Sequence, residues 1–541
     1  MSPPVPPPLT PDDSLDTVLS FSALPENSRP LALRIIHTND IHSHFSPFNR
    51  HGTDCTDAQF RAEECFGGAA RVKTVVEGLR SQHPNSILLD GGDQFQGTMF
   101  YNFYKGNISV EVMNDLQYDA MSLGNHEFDD TPSNVIKFAN QLNFPIVAAN
   151  IDASDYPEFQ AIIKPYIILE QYNLGIIGYI TNTTGDISNA GPLLKFLDPA
   201  PAVNKYVDEL RSKGIKRIIA VSHNGYREDI DLASRTRGLS LIVGGHSHTY
   251  LASDPSEPGA GGRYPTAVSN LDGKTTYIVQ AKCWGEYVGF VDLVFDPTGS
   301  AHGITGHPIH ITQALPVDEP LAIRVQEWRK PFDEYTQTVI GEATDEFSTN
   351  KCYSNECTIG DLVADAMLDF RKPINPRFAV INAGGIRAGI AKGPITIGQI
   401  LTILPFGNAL VDIKLTGAEL KESLLATLNG VHPKNGKRVT SIVQVSGIRF
   451  TATRDADGKF TKLDSFDIIT EDGKSYMPVV ETETYVGVTL DFLATGGDNV
   501  FGGPLDGAST ALDTLDVVVQ HYIQDRTPIT PKLDGRIQIT Y

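Results

Sequence analysis

Five short apolar runs stand out along the chain: Leu33-Arg34-Ile35-Ile36, Ile87-Leu88-Leu89, Ala120-Met121-Ser122-Leu123, Arg217-Ile218-Ile219-Ala220-Val221 and Ser240-Leu241-Ile242-Val243. Their length and β-branched content predict buried strands. Each gives way to a polar turn: Asp40-Ile41-His42, Gly92-Asp93, Gly124-Asn125-His126-Glu127, Ser222-His223-Asn224 and Gly245-His246-Ser247-His248. In an open α/β sheet, side chains just past the carboxyl ends of strands converge on one crevice, so turns up to about two hundred residues apart can meet. Strand-like segments continue through residues 275–280 and 287–295, and then the pattern changes. Residues 318–337 read as a charged amphipathic helix and 342–350 are polar. The expected organisation is a disordered N-terminal segment (1–30), a first domain (31–317), a linker helix or hinge (318–345) and a second α/β domain (346–541). No internal repeat is evident.

The turns carry two Asp, one Asn and four His, with no Cys. That set suits borderline to hard divalent ions such as Zn²⁺, Mn²⁺ or Co²⁺. A two-metal centre needs a bridging carboxylate, and Asp93 is the natural choice, because Gly91 and Gly92 let the backbone turn tightly before it. Asp40 and His42 stand at i and i+2, which in extended geometry puts both on one side of the chain and lets them serve one ion. His246 and His248 repeat that spacing and can supply one imidazole to each ion. Any one of these motifs is common by chance; what carries the reading is all five, in order, each behind a strand. His37, His44 and His51 have no such support and read as structural.

At 541 residues the chain is too long for one core and suggests two sizeable domains. Forty-four basic and sixty-five acidic residues give a net charge of −21. This disfavours nucleic acid and membrane surfaces as partners. An anionic substrate stays open, since divalent ions and a few Arg can reverse the potential inside a cleft. Cys55 and Cys65 share one polar loop, and Cys352 and Cys357 bracket another. Two local disulfides there would imply an oxidising compartment, with Cys283 left over. No apolar run approaches the roughly 20 residues that span a bilayer. The Pro- and Asp-rich N-terminus does not read as a signal peptide, nor the C-terminus as a lipid-anchor signal. The expectation is therefore either a processed, secreted form or a cytoplasmic protein. The sequons Asn107-Ile108-Ser109 and Asn182-Thr183-Thr184 fit secretion. Oligomeric state is not legible.

The second half holds three Gly-rich turns: Asn382-Ala383-Gly384-Gly385-Ile386-Arg387, Leu404-Pro405-Phe406-Gly407-Asn408 and Asp491-Phe492-Leu493-Ala494-Thr495-Gly496-Gly497-Asp498. Two glycines before an Arg allow close backbone approach to a ligand while the guanidinium meets phosphate or carboxylate. Two exposed Phe on different loops can sandwich a flat base.

The segments Ile36-His37-Thr38-Asn39-Asp40-Ile41-His42, Gly67-Gly68-Ala69-Ala70-Arg71, Asp90-Gly91-Gly92-Asp93, Gly124-Asn125-His126-Glu127-Phe128-Asp129 and Gly244-Gly245-His246-Ser247-His248-Thr249 resemble the calcineurin-like metallophosphoesterase signature. Their surroundings, from about residue 31 to the end, resemble the 5′-nucleotidase family. The resemblance implies a four-layer α/β/β/α metallophosphoesterase domain, a linker helix and a C-terminal α/β nucleotide-binding domain. It implies two divalent ions, zinc foremost, one on Asp40, His42, Asp93 and His248, the other on Asp93, Asn125, His223 and His246. His126 and Asp129 would form a metal-free dyad beside the scissile phosphate. It also implies cystines at Cys55–Cys65 and Cys352–Cys357, and a nucleoside site in which Phe406 and Phe492 stack the base, Asp498 holds the ribose and Asn382 and Arg387 contact base or substrate oxygens. One departure is Tyr353, where ecto-type members carry Arg after the first Cys of the pair. The implied activity is removal of the 5′-phosphate from nucleoside monophosphates. The alternatives are hydrolysis of UDP-sugars, nucleoside di- or triphosphates or 2′,3′-cyclic nucleotides, or, in another class, a catalytically silent nucleotide-binding protein.

Overall fold

A computed structural model describes residues 30–50, 52–505 and 513–541. The N-terminal segment expected to be disordered lies, apart from Pro30, outside the described residues, as does His51. Two six-stranded sheets build the first half. One runs in the order Ala301–His310, Tyr287–Phe295, Leu31–Thr38, Ser86–Asp90, Ala120–Ser122, Ile146–Val147. The other runs Thr266–Ser269, Thr275–Val279, Leu241–Val243, Arg217–His223, Leu174–Ile180, Tyr166–Leu169.

Strand alternation explains how the sheets stack. Successive side chains point to opposite faces of a strand, and here both faces are apolar. Leu33, Ile35, Ile87, Leu89, Ile219, Val221, Leu241 and Val243 form one core between the sheets. Their neighbours Ile36 and Leu88 join the helices Ala69–Gln82, Asn107–Leu116 and Pro132–Ala139 on the outer face of the first sheet. Ile218, Ala220 and Ile242 join Pro199–Ser212 and Tyr226–Arg235 on the outer face of the second. The result is four layers, α/β/β/α. Each such aliphatic side chain is worth about 1.5–3 kcal/mol in removal from water.

The charged stretch after residue 317 forms the helix Glu319–Thr336, capped by Asp318, whose carboxylate accepts from the Leu321 amide at 2.9 Å. Its apolar face, Leu321, Val325 and Phe332, belongs to the first domain's core. Buried Arg329 adds bonds to Ser46 (3.0 Å), Asp54 (2.7 Å) and Asp333 (2.9 Å). Residues 339–343, expected within the linker, pair as a strand with Gly393–Thr396. Only Gln337 and Thr338 therefore join the helix to the second half. That half has two four-stranded sheets, Leu410–Thr416, Thr484–Leu490, Phe378–Asn382, Val443–Ser446 and Tyr476–Pro478, Ser465–Ile469, Ile448–Thr453, Ile537–Thr540. They share one core with the helices Thr358–Phe370, Ile397–Ile403, Gly417–Asn429 and Leu515–Arg526. Cys55 and Cys65 are bonded with Cα atoms 6.1 Å apart, Cys352 and Cys357 with Cα atoms 5.0 Å apart, and Cys283 is free and buried. Among the described residues no helix is long and apolar enough to cross a membrane.

Candidate active site

The five turns meet at one place, but not along the edge of a single sheet. Three follow strands of the first sheet (ending at Thr38, Asp90 and Ser122) and two follow strands of the second (ending at His223 and Val243). The expected extended geometry of Asp40 and His42 does not hold. Both are left-handed, at φ 51° and 49°, and so are Asp93 (58°), His246 (75°) and His248 (51°). Extended backbone would carry the chain past the crevice. Instead the amides of Asp40, His42 and Ser43 bond the carbonyls of Gly92, Asp93 and Gln94 at 2.9–3.0 Å, lacing two turns together. Such conformations in non-glycine residues cost on the order of 1–3 kcal/mol each and persist where surrounding structure holds them.

The side chains form two groups, Asp40, His42, His248 and Asp93, His223, His246, each with its ligating atoms within 4.8 Å of one another. Between them lies Asp93, whose Oδ2 is 3.1 Å from His223 Nε2 and 3.7 Å from His42 Nε2. Asn125 Oδ1 is 3.2 Å from His223 Nε2, and His248 Nε2 is 3.2 Å from Asp40 Oδ1. His42 and His223 donate Nδ1–H to the carbonyls of Phe95 (2.8 Å) and Gly91 (2.7 Å), which turns each Nε2 inward; against burial, Asp93 lifts the His223 pKa to about 10, so a metal there would displace the Nε2 proton. The Nε2 atoms of His42 and His248 stand 3.1 Å apart. A cation there would be met by both nitrogens and by the neighbouring Asp40 carboxylate. The donor set thus fits a pair of divalent ions. Burial drives His246 down to about 3, and drives His42 well below the ordinary histidine value. Both are neutral, as ligands must be. Against the cost of burial, His223 and His126 hold Asp93 well below the carboxylate range, so it is ionised.

Next to this centre, His126 Nδ1 bonds Asp129 Oδ2 at 2.7 Å, and Gln96 Nε2 donates to the same oxygen at 2.8 Å. Despite burial, Asp129 and then Asp93 raise the His126 pKa. A cavity of about 1280 Å³ opens here between the two halves of the molecule. Its floor includes Asp93, Asn125, His126, Asp129, His246 and His248, and its opposite wall Asn382, Arg387, Phe406, Phe492 and Asp498. Asp40, His42 and His223 lie beneath that floor. Arg387 reaches across to put Nη2 3.2 Å from His42 Nε2. Phe406 stacks on the His126 ring, centroids 5.4 Å apart, with the Arg387 guanidinium 5.8 Å from its own centroid. Phe492 packs against Gly497, where a Cβ would come within 2.5 Å of the ring. Asn382 donates to Asp498 at 2.7 Å and Thr440 donates to the other oxygen. Every sequence-predicted site residue therefore gathers around one cleft. In this conformation Phe406 faces the dyad.

Residues 33–250 match the family model for calcineurin-like phosphoesterase, and residues 339–503 that for the 5′-nucleotidase C-terminal domain. A snake venom 5′-nucleotidase from Crotalus adamanteus is 33% identical over 93% of this chain and 88% of its own. A human 5′-nucleotidase is 33% identical over 94% of this chain and 91% of its own. The crystal structure of a 5′-nucleotidase precursor from Thermus thermophilus superposes with a TM-score of 0.85 at 34% identity, covering 94% of this chain and 99% of that one. The chain belongs to the 5′-nucleotidase family. It is accordingly a metal-dependent hydrolase of phosphoric esters, with a fold that implies two divalent ions.

Three polar residues of this 5′-nucleotidase family member went unread in the sequence. Asn39 donates to Asp40 Oδ2 (2.7 Å) and accepts from the Ala281 amide (2.9 Å), fixing the carboxylate rotamer. Gln280 accepts from Ser247 Oγ (3.0 Å) and the Thr249 amide and donates to the Gly245 carbonyl (2.8 Å), shaping the His246–His248 turn. Thr440 orients Asp498. Asn39 adjoins Asp40 and Gln280 ends a strand-like run, but nothing in their spacing separates them from ordinary loop residues.

Proposed function

We propose that the protein removes the 5′-phosphate from nucleoside monophosphates, giving nucleoside and inorganic phosphate. The observation that supports this most directly is the shared cleft, with the metal-ligand cluster and the His126–Asp129 dyad on one wall and Arg387, Phe406, Phe492 and Asp498 on the other. When bound, two divalent ions neutralise phosphate oxygens and acidify a water for in-line attack. Asp40, His42, Asp93 and His248 would hold one, and Asp93, Asn125, His223 and His246 the other, with zinc the best match to this His-rich set. His126, held by Asp129, presents its free edge to the cleft and stabilises charge on the leaving or equatorial oxygen. Arg387 is placed to bind the phosphate, since it already reaches His42. The ribose hydroxyls fall to Asp498, the base to the two Phe. Two bonded cysteine pairs, together with the venom relatives, support an extracellular or secreted protein.

The cavity exceeds the usual 300–1,000 Å³ of small-molecule sites. That space favours as second reading a longer substrate, a UDP-sugar or a nucleoside di- or triphosphate. Chromatographic separation of the products (nucleoside, nucleotide, sugar phosphate and inorganic phosphate) from a panel of mono-, di- and triphosphates, UDP-sugars and 2′,3′-cyclic nucleotides, with metal content measured on the same preparation, separates the readings. Monophosphates should lead. Activity confined to the longer compounds would overturn the proposal, and no activity on any would favour the binding-protein alternative.

A further inference from the structure

Glu127 follows the dyad histidine in sequence, is completely buried and points away from the cleft. Its carboxylate accepts four backbone N–H groups. Oε2 takes Asp93 (3.0 Å) and Gly124 (2.6 Å), and Oε1 takes Gln94 (2.8 Å) and Phe95 (3.2 Å). Three of these amides belong to the turn that presents Asp93, and the fourth to the turn that presents Asn125 and His126. A reciprocal strap, His126 N–H to Asp93 Oδ1 at 2.9 Å, closes the same gap from the other side. The turns touch so closely that a Cβ on Gly124 would lie 2.1 Å from Asp93 Oδ1. Four converging donors need an acceptor with four lone-pair sites and no hydrogen, which among side chains only a carboxylate supplies.

We infer that Glu127 is a positioning residue for the metal pair: it clamps the Asp93 turn to the Asn125–His126 turn and so sets where the bridging carboxylate stands. The inference rests on the two-ion reading above. Groups that orient first-sphere ligands typically change metal affinity or activity by about 10- to 100-fold when removed. Glu127→Gln keeps the size and replaces two acceptor sites by an NH₂ aimed at amide donors, so the turns must part.

The test is titration of metal-free wild type and Glu127→Gln with Co²⁺, followed by calorimetry and by the visible d–d bands, alongside circular dichroism and kcat and KM on a nucleotide and an aryl phosphate. The expected result is a folded variant that binds the weaker ion about 10- to 100-fold less tightly, with shifted d–d bands and a lower kcat on both substrates at unchanged KM. Should Glu127→Gln not fold, Glu127→Asp decides, because it keeps a carboxylate for the four amides but draws it back by one methylene, and it should shift the bands in the same direction by a smaller amount. A folded variant of either kind with wild-type affinity and spectrum overturns the clamp. Wild type that binds fewer than two ions overturns the metal reading, and the clamp falls with it.

Discussion

Asp93 is the residue on which the most geometry converges. Its left-handed backbone, its buried and ionised carboxylate and its position between His42 and His223 all serve one oxygen pair. Asp93→Asn should therefore remove nearly all turnover and lower bound metal, because one oxygen no longer serves both ions. Activity assays with metal analysis check this, and two equivalents of metal with wild-type activity would refute the bridging role. His126 should behave differently. Its ring is held by Asp129 rather than placed in either ligand group. His126→Ala should keep its metal and lose on the order of 100-fold in kcat, the scale for one preorganised transition-state donor. Metal content that falls in step with activity would make His126 a ligand.

Among the elements, the C-terminal strand Ile537–Thr540 shows how a structural carboxylate cluster differs from a functional one. Arg536, just before it, bonds Asp365 (2.6 Å), Asp534 (3.0 Å) and the Val445 carbonyl (3.1 Å), with Asp361 Oδ1 3.3 Å away. Burial pushes the Asp361 carboxyl up to about 9, against the pull of Arg536 and with the help of Glu356. The folded state thus holds a proton there that the unfolded chain, at an ordinary value of 3.8, gives up. Stability must fall as pH rises between those two values, by up to about 1.4 kcal/mol per pH unit, and be insensitive to this group below them. Asp361→Asn removes that loss. The difference in Tm between variant and wild type should move in the variant's favour from pH 5 to pH 9, as read by thermal unfolding across a pH series. Parallel curves would mean that Asp361 is ionised in the fold. The linker helix makes a second case. Since its apolar face and Arg329 are docked on the first domain, any bending between the halves should concentrate at Gln337 and Thr338. Arg329→Met, by loosening that dock, should lower the first domain's stability by about 1.5–3 kcal/mol, the worth of a hydrogen bond to a charged group. Denaturant unfolding followed domain by domain measures it, and an unchanged midpoint would mean that Arg329 does not hold the helix to that domain.

For the molecule as a whole, the proposed function assigns chemistry to the first domain and selection to the second; the two are joined across the cleft by Arg387–His42, Phe406–His126 and the Arg438–Glu228 ion pair at 3.0 Å. Phe492 is the cleaner probe of selection, because its ring packs within its own domain whereas Phe406 also covers the dyad. Phe492→Ala should weaken nucleotide substrates by about 1–3 kcal/mol, the range for base–aromatic stacking, and leave an aryl phosphate within a few fold. Phe406→Ala should show the same contrast plus some change on the aryl phosphate. Comparison of kcat/KM on the two substrates decides. Equal losses for Phe492→Ala would make the ring a support of the fold.

Much of this was legible along the chain. Apolar runs at strand length located the first-domain strands that carry the site, and the polar residues behind them named the ligand candidates. Both signals are local: a strand's period and a turn's composition are written in consecutive residues. The pairs of facing cysteines were visible for the same reason. Other features needed the fold. Alternate residues of Leu31–Thr38 face different cores, which no single run reveals, because two stacked sheets bury both faces. The left-handed backbone of Asp40 and His42 follows from hydrogen bonds to a turn some fifty residues away, so extended geometry was the natural and mistaken expectation. Glu127, Asn39 and Gln280 matter only through partners brought together by packing. The sequence determined which chemical groups are present and which turns carry them; tertiary structure decided their distances, protonation and mutual orientation, because those depend on long-range contacts and burial rather than on neighbours in the chain.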